Sequence, residues 1–232
     1  MIRFTNIVRR YIERQKLKLD DVHAGILLNR TLSQGKYFPT TGSSLNLHSV
    51  ATVVNDVIVN RRQCVIEFGA GLSTLCFARL VRDFDLNTKI VSVDDNEAWL
   101  QIMKERLVDE GLQDRVNLVF APLASCEHAK NSLLWYDQAA INSATESLQS
   151  FDVVLVDGPM AYDRPRALSR YPAVPFLAPR LSPGYAIFLD DMHRDGEKEI
   201  AKSWQSELGA KRTVVNSNFV MLSKGNFFNP VV

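Results

Sequence analysis

Three aspartates that follow two apolar runs are the side chains of this sequence best suited to chemistry. Asp157 follows one run, and Asp190 and Asp191 follow a later one. Carboxylates that two strand ends deliver to one sheet edge suit a hard cation such as Mg²⁺, which prefers oxygen ligands. Such a cation would lower the pKa of a substrate hydroxyl group bound to it and would orient that hydroxyl. The alternative is that one of Asp190 and Asp191 caps the following helix while the other pairs with an arginine.

If no metal is bound, removing a proton from a substrate hydroxyl or amine needs a side-chain base. Asp157 and His193 are the candidates for this base. Histidine suits this task because its ordinary pKa of about 6.5 lies close to neutrality. His193 lies directly after the Asp190–Asp191 pair, where a histidine also serves as a hydrogen-bonded surface residue. Both interpretations of His193 stay open on the sequence alone.

A glycine turn predicts where a ligand binds. The stretch Cys64–Thr74 contains a short apolar run, then Glu67, Gly69 and Gly71, then the start of an amphipathic run. This order predicts a strand, a tight turn and a helix, and glycines in such a turn let the backbone approach a ligand closely. Thr74 takes the third glycine position of the dinucleotide fingerprint, and the Glu67 carboxylate would repel a pyrophosphate but attract an ammonium group. The turn therefore predicts a cationic cofactor.

A parallel sheet is needed to bring the turn and the aspartates together. Short runs rich in Val, Ile, Leu and Phe alternate with helical patterns, which is typical of an α/β fold with a doubly wound sheet and helices on both faces. The predicted parallel strands are Cys64–Phe68, Lys89–Val93, Val116–Phe120, Asp152–Val156 and Tyr185–Leu189. The predicted helices are Ser73–Arg82, Glu97–Glu110, Arg164–Leu181, which prolines interrupt, and Glu197–Leu208. Arg212–Val215 and Phe219–Leu222 predict a C-terminal antiparallel hairpin, which brings the sheet to seven strands.

Length and charge narrow the class of partner. The 232 residues fit one α/β domain with some additional structure. Lys and Arg total 27 against 26 Asp and Glu, and this balance argues against nucleic acid as the partner and favours a small molecule. The three cysteines lack metal-ligand spacing, so we expect a reducing, cytoplasmic setting. The basic N-terminal stretch has no long apolar core, so we expect a surface helix and no insertion into a membrane.

At residues 67–74 the chain resembles the class I S-adenosylmethionine-dependent methyltransferases, whose first motif has the form acidic-x-Gly-x-Gly. The resemblance extends over most of the chain, from Tyr37 to Leu222, and implies a Rossmann-like fold. It implies cofactor contacts from the first motif, with Asp94 as the ligand of the ribose hydroxyls and Asp95 beside it, with the third motif along the adenine, and with Asp157 beside the methyl group. The first-motif residues are Glu67, Gly69, Ala70, Gly71, Ser73 and Thr74, and the third-motif residues are Ala121, Pro122 and Leu123.

The positions of Asp157, Asp190 and Asp191 are similar to those of the ligands in metal-dependent O-methyltransferases that act on catechols or sugar hydroxyls. The segment Met160–Leu189 departs from the usual catechol-type sequence, since it contains Arg164, Arg166, Arg170 and Tyr171. This arginine cluster would favour an acidic acceptor, or would pair with Asp163 and Glu197. Both a metal-assisted and a metal-free reaction stay open.

By the same resemblance, residues 1–45 form an N-terminal helical and lid segment and residues 46–232 form the domain that binds S-adenosylmethionine. Tyr37, Thr41 and Ser43 are candidate lid contacts, and His48 is a further candidate base. Trp135 and Tyr136 either form the floor of a pocket or pack in the core.

Methyl transfer from S-adenosylmethionine to a hydroxyl, or to an amine as second choice, of a small molecule is the predicted function. An aminopropyl transferase on the same fold is one alternative, and a non-catalytic protein that binds an adenosyl ligand or serves as a partner subunit is another. The oligomeric state stays open.

Overall fold

The computed structural model describes residues 2–232, and within the first 14 residues only the side chains of residues 8, 11 and 12. Its centre is a seven-stranded sheet with the order β3-β2-β1-β6-β7-β9-β8. The strands are β1 (Cys64–Phe68), β2 (Lys89–Asp94), β3 (Asn117–Phe120), β4 (Leu123–Ser125), β5 (Leu134–Tyr136), β6 (Phe151–Val156), β7 (Leu181–Leu189), β8 (Lys211–Asn216) and β9 (Phe219–Lys224). The helices are α1 (Ile2–Leu27), α2 (Asn29–Leu32), α3 (Leu47–Val59), α4 (Leu72–Asp83), α5 (Glu97–Asp109), α6 (Gln138–Ala144), α7 (Ala173–Leu177) and α8 (Asp195–Leu208).

The predicted sheet is confirmed. Strands β3, β2, β1, β6 and β7 are parallel, and β9 and β8 continue the sheet as an antiparallel hairpin. The chain runs from β1 outward to β2 and β3, and later returns to the other side of β1 with β6. The point where the order reverses, between β1 and β6, is where ligands bind in open α/β sheets.

The register of the parallel strands brings their last residues to one level. Phe68 of β1 pairs with Val93 of β2 and with Val156 of β6, and Val156 pairs with Leu189 of β7. The residues that follow these strand ends therefore emerge side by side at the carboxyl edge of the sheet.

The sheet is buried on both faces. One face packs against α1, α3 and α4 with residues such as Val65 and Leu155, and the other packs against α6, α7 and α8 with residues such as Ile66 and Val154. This double burial explains why β1 and β6 are continuous apolar runs and not alternating ones. Along the chain from residue 2 onward, no helix is both long and apolar enough to span a membrane.

The predicted helix Arg164–Leu181 is wrong as a single element. Its residues form a 3₁₀ turn at Arg164–Arg166, the short helix α7 and a second 3₁₀ turn at Ala178–Arg180. Prolines remove backbone donors throughout this stretch, so no helix extends beyond a few residues. Strand β7 also begins at Leu181, four residues before the predicted start at Tyr185.

Candidate active site

A cavity of about 380 Å³ opens at the carboxyl edge of the sheet, between the ends of β1, β2 and β6. The cavity wall is formed by residues from these three strand ends, the start of α4, the first turn of α5, the end of β5 and the segment before α3. They are Phe38, Pro39, Thr41, Ser43, Ser44, Leu45, Gly69, Ala70, Gly71, Leu72, Ser73, Asp94, Asp95, Trp99, Tyr136, Asp157, Gly158, Pro159 and Met160.

The first glycine of the turn is required by a close backbone approach. Gly69 has φ +100°, a conformation that favours glycine, and its N–H donates to the Val93 carbonyl at 2.8 Å. A Cβ at Gly69 would lie only 3.0 Å from the backbone nitrogen of Gly158. A Cβ at Gly158 would overlap the hydroxyl of Tyr136. The loops after β1 and β6 therefore touch each other, and glycine at both positions permits the contact.

Asp94 closes the turn from the side of β2. Its Oδ2 accepts from the Ala70 N–H at 2.9 Å and its Oδ1 accepts from the Asn96 N–H at 2.9 Å. Burial raises the pKa of Asp94. Trp99 also holds the turn in place, because its Nε1 donates a hydrogen bond to the Ala70 carbonyl at 2.7 Å. Each Asp94 oxygen keeps lone-pair capacity, so the carboxylate has room to accept from a diol in the cavity.

Glu67 lies behind the turn. Its carboxylate is fully buried and accepts from the Ser73 hydroxyl at 2.6 Å and from the Thr74 hydroxyl. The Thr74 Oγ1 in turn accepts from the Gly71 N–H at 2.9 Å. Glu67 is outside the lining of the cavity, whereas Gly71 is part of it. We therefore propose that Glu67 positions the turn through Thr74, in place of the direct ammonium contact that the sequence predicts.

We expect the burial of Glu67 to appear in the pH dependence of stability. Burial raises the pKa of Glu67 to about 7, above its ordinary value, so the folded state holds this proton more tightly than the unfolded chain does. The stability that it contributes is present below pH 4.5 and is lost as the pH rises through 7, a change of roughly 3 kcal/mol. The measurement is the free energy of unfolding of wild type and of Glu67→Gln by urea denaturation at several pH values from 4.5 to 8. Between these limits, wild type should lose roughly 3 kcal/mol of stability relative to Glu67→Gln.

Glu146→Gln, which changes an exposed carboxylate, is the control. Its free energy of unfolding should follow the same pH dependence as that of wild type. Parallel curves for Glu67→Gln as well would contradict the assignment of a buried, proton-holding Glu67.

The third-motif residues lie beside the cavity but not in its lining. Ala121 is fully buried, and its N–H donates to the Asp94 carbonyl at 3.0 Å. Pro122 and Leu123 are exposed. Their adenine contact therefore stays a prediction, while Asp95, the neighbour of Asp94, does line the cavity.

The three aspartates of the sequence prediction do come together. One oxygen from each of Asp157, Asp190 and Asp191 lies within 4.8 Å of the others. Asp157 faces the cavity and is 22% exposed, whereas Asp190 is buried and accepts from Asn218 Nδ2 at 3.1 Å. Burial raises the pKa of Asp157 to about 6, and burial together with the two neighbouring carboxylates raises the pKa of Asp190 well above its usual range.

Two arginines already contact this cluster. Arg170 Nη1 lies 3.0 Å and Arg194 Nη1 lies 2.8 Å from the same oxygen, Oδ2 of Asp191. The pairing of one aspartate with an arginine, an alternative that the sequence leaves open, is thus present. A divalent cation bound to Asp191 Oδ2 would share this oxygen with two guanidinium nitrogens that lie within 3.0 Å of it, although among the described residues neither Nη1 makes a hydrogen bond. The donor set does not fit Mg²⁺, and we derive no step through a metal.

Neither candidate histidine lines the cavity. His193 is largely exposed, and its Nδ1 contacts Asn218 Oδ1. His48 is buried in α3, where its Nε2 contacts the Val232 carbonyl at 2.9 Å and its Nδ1 contacts Asn216 Nδ2 at 3.1 Å. Both ring nitrogens of His48 thus contact residues of the C-terminal part of the chain. Of the three candidate bases, Asp157 is the one that lines the cavity.

Several cavity residues were missed or left undecided by the sequence analysis. Thr41 and Ser43 line the cavity as predicted lid contacts, but Tyr37 is 80% exposed and lies outside the lining, where Phe38, Pro39, Ser44 and Leu45 take its place. Of the two aromatic residues left undecided, Tyr136 lines the cavity, whereas Trp135 is fully buried in the hydrophobic core. The signal for Trp99 was available, since it lies five residues after Asp94 on the first turn of α5.

Comparisons with known proteins identify the family of this chain. Residues 66–192, more than half of the chain, match the family described as a methyltransferase domain. The chain therefore belongs to the methyltransferase family. This membership confirms the resemblance on which the sequence analysis relied, and the protein is a class I, S-adenosylmethionine-dependent methyltransferase. No curated protein matches the sequence.

Solved structures show the same fold at low identity. A Staphylococcus aureus protein assigned as a caffeoyl-CoA O-methyltransferase is 10% identical with a TM-score of 0.60, covering 88% of this chain and 100% of its own. The SAH-bound methyltransferase PaMTH1 from Podospora anserina is 16% identical with a TM-score of 0.55, covering 97% and 96%. TomG from Streptomyces achromogenes, an O-methyltransferase involved in tomaymycin synthesis and solved with SAM, is 14% identical with a TM-score of 0.54, covering 88% and 96%.

Proposed function

We propose that this enzyme methylates a hydroxyl group of a small molecule, with S-adenosylmethionine bound in the cavity at the carboxyl edge of the sheet. The observation that carries the proposal is the position of Asp157, which lines the cavity together with Gly69–Gly71 of the glycine turn. Solved neighbours of the same fold include O-methyltransferases of small molecules, which favours oxygen as the acceptor atom.

The cofactor site in this proposal consists of the glycine turn, Asp94 and Tyr136. Asp94 accepts from the ribose hydroxyls with the lone pairs that its two backbone donors leave free. The cofactor supplies an electrophilic methyl group on a sulfonium. The backbone of Gly69–Gly71 lets this cation approach the sheet edge, and the carboxylates of Asp94 and Asp157 balance its charge.

The segment before α3 covers the cavity in this proposal. Phe38, Pro39 and Leu45 contribute apolar wall, and Thr41 and Ser43 contribute hydroxyls. Leu45 is also buried in the core that α1 and α3 share, so the cover is anchored at its end. Excluding water from the reacting atoms strengthens the electrostatic interactions inside the site.

Asp157 is the proposed proton acceptor. Because burial raises its pKa to about 6, its carboxylate is ionised at neutral pH and is a stronger base than an ordinary aspartate. It takes the proton of the acceptor hydroxyl as the oxygen attacks the methyl carbon in line with the leaving sulfur. Arg170 lies 3.5 Å from Asp157 Oδ1 and helps to orient this carboxylate.

We expect Asp157→Asn to lose methyl transfer while it keeps the cofactor. Removing a general base costs about 10²–10⁴-fold in rate, so transfer of radiolabelled methyl from S-adenosylmethionine to a panel of phenols, catechols and glycosides should fall by at least about 100-fold. S-adenosylhomocysteine affinity should stay within about 3-fold. The wild-type rate should fall as the pH drops below about 6, because the base is then protonated.

Asp163→Asn is the matched control, since Asp163 is a partly exposed aspartate of the same loop that pairs with Arg166. It should behave as wild type. An Asp157→Asn variant with full transfer activity, or a rate that is constant across pH 6, would contradict the assignment of the base.

A further inference from the structure

The aspartate cluster at the sheet edge contains its own cations. Four carboxyl groups and two guanidinium groups meet beside the cavity at the ends of β6 and β7 and the start of α8. They are Asp157, Asp190, Asp191, Glu197, Arg170 and Arg194.

Arg170 bridges the two carboxylates that a metal would be expected to share. Its side chain is only 4% exposed, with Nη1 at 3.0 Å from Asp191 Oδ2 and Nη2 at 3.5 Å from Asp157 Oδ1. Two backbone carbonyls hold the guanidinium in this place, since Nε donates to Pro159 O at 3.1 Å and Nη2 donates to Asp157 O. The group is therefore fixed by the loop that carries Asp157.

Arg194, the N-cap residue of α8, supports the same arrangement. It contacts Asp191 Oδ2 and lies 3.6 Å from Glu197 Oε1, while Arg170 lies 3.8 Å from that oxygen. Glu197 is fully buried, and among the described residues no donor makes a hydrogen bond to either of its oxygens. The two guanidinium groups are the opposite charges beside it, so the cluster needs both arginines for its charge balance.

A divalent cation would compete with these arginines. Mg²⁺ binds carboxylate oxygens at about 2.1 Å, so a cation on Asp191 Oδ2 would lie no more than about 5 Å from Arg170 Nη1. Like charges at that separation repel strongly in a poorly solvated site. Binding would also require Arg170, whose side chain is only 4% exposed, to give up its hydrogen bonds to the Pro159 and Asp157 carbonyls.

We propose that Arg170 is the built-in cation of this active site: with Arg194, it takes the place of a divalent metal between Asp157 and Asp191, and it positions the Asp157 carboxylate without metal. The proposal rests on the proposed function for the identity of the site. Its physical claim, that the arginines exclude a divalent cation, is measured without a methyl acceptor.

Mn²⁺ binding tests the claim, because Mn²⁺ favours the same oxygen ligands and its free form is counted by electron paramagnetic resonance. EDTA-treated wild type should bind no Mn²⁺ below about 1 mM. Arg170→Met/Arg194→Met removes both guanidinium groups that lie beside Asp191 Oδ2 and should bind one Mn²⁺ at least about 10-fold more tightly than wild type. Arg166→Met, which removes a partly exposed arginine of the same segment, should remain at the wild-type level.

Removal of a buried arginine also threatens folding, so a charge-matched variant is included. Arg170→Met/Arg194→Met combined with Asp157→Asn and Asp191→Asn removes two charges of each sign and should fold without gaining a Mn²⁺ site, which ties the gain to these two carboxylates. Wild type that binds one Mn²⁺ below about 1 mM, with the binding lost in Asp157→Asn, would overturn the proposal whether or not the arginine variants fold. A folded Arg170→Met/Arg194→Met variant that binds no Mn²⁺ would overturn it as well.

The failure of this inference is distinguishable from failure of the proposed function. S-adenosylhomocysteine binding with tight Mn²⁺ binding would refute the arginine proposal alone. No S-adenosylhomocysteine binding would refute the cofactor site, whereas the Mn²⁺ titration would still report on the cluster.

Discussion

Asp94→Asn is expected to weaken S-adenosylhomocysteine binding by about 100-fold or more. The amide has the size of the carboxylate, but its nitrogen cannot accept, so either the Ala70 N–H or the Asn96 N–H loses its acceptor. The proposed ribose contact loses its charge at the same time. Hydrogen bonds to a charged group contribute about 1.5–3 kcal/mol each, and a 100-fold loss of affinity corresponds to about 3 kcal/mol.

Asp95→Asn is the matched control for this titration. Asp95 also lines the cavity, but neither Ala70 nor Asn96 donates to it. We expect the affinity of Asp95→Asn for S-adenosylhomocysteine, measured by calorimetry, to differ from that of wild type by less than about 5-fold. Equal losses in the two variants would contradict the assignment of Asp94 as the residue that holds both the turn and the ribose.

The two glycines of the turn are expected to respond differently to alanine. In Gly69→Ala, the new Cβ lies 3.0 Å from the Gly158 nitrogen and the backbone has φ +100°. We expect the free energy of unfolding to fall by about 2 kcal/mol, because a strained backbone conformation costs about 1–3 kcal/mol. S-adenosylhomocysteine affinity should fall as well, since the turn must shift away from the loop after β6.

Gly71→Ala separates the two effects. Its φ of −179° is extended, and a Cβ there meets no described atom within 4 Å. Urea denaturation of the ligand-free protein should therefore match wild type within about 0.5 kcal/mol, whereas S-adenosylhomocysteine binding should weaken at least about 10-fold because the Cβ points into space that the cofactor needs. A Gly71→Ala variant that binds normally would argue against a cofactor packed on this turn.

The sequence predicts the sheet well because its strands carry a local signal. Buried parallel strands are short apolar runs, and β1, β2 and β6 each end next to a glycine or an acidic residue that marks the cavity edge. Gly69, Asp94 and Asp157 were placed together for the same reason, because carboxyl ends of neighbouring parallel strands meet at one edge.

The contacts of Glu67 and Arg170 could not be read from the sequence. Whether Glu67 faces the cavity or the first turn of α4 depends on the packing of Ser73 and Thr74 behind the turn. Arg170 stands in a segment whose prolines disrupt the helical pattern, so its burial beside Asp157 is a tertiary outcome. Helix α3 was also missed, although Asn46 caps it by accepting from the Ser49 N–H at 2.9 Å.

Calorimetric titration of the purified protein with S-adenosylhomocysteine, with NAD as the control ligand, tests the central claim most directly. A cavity built by the glycine turn and Asp94 for a sulfonium cofactor predicts one site with micromolar affinity for S-adenosylhomocysteine and no heat from NAD. Tight binding of NAD, or no heat from S-adenosylhomocysteine, would contradict the account.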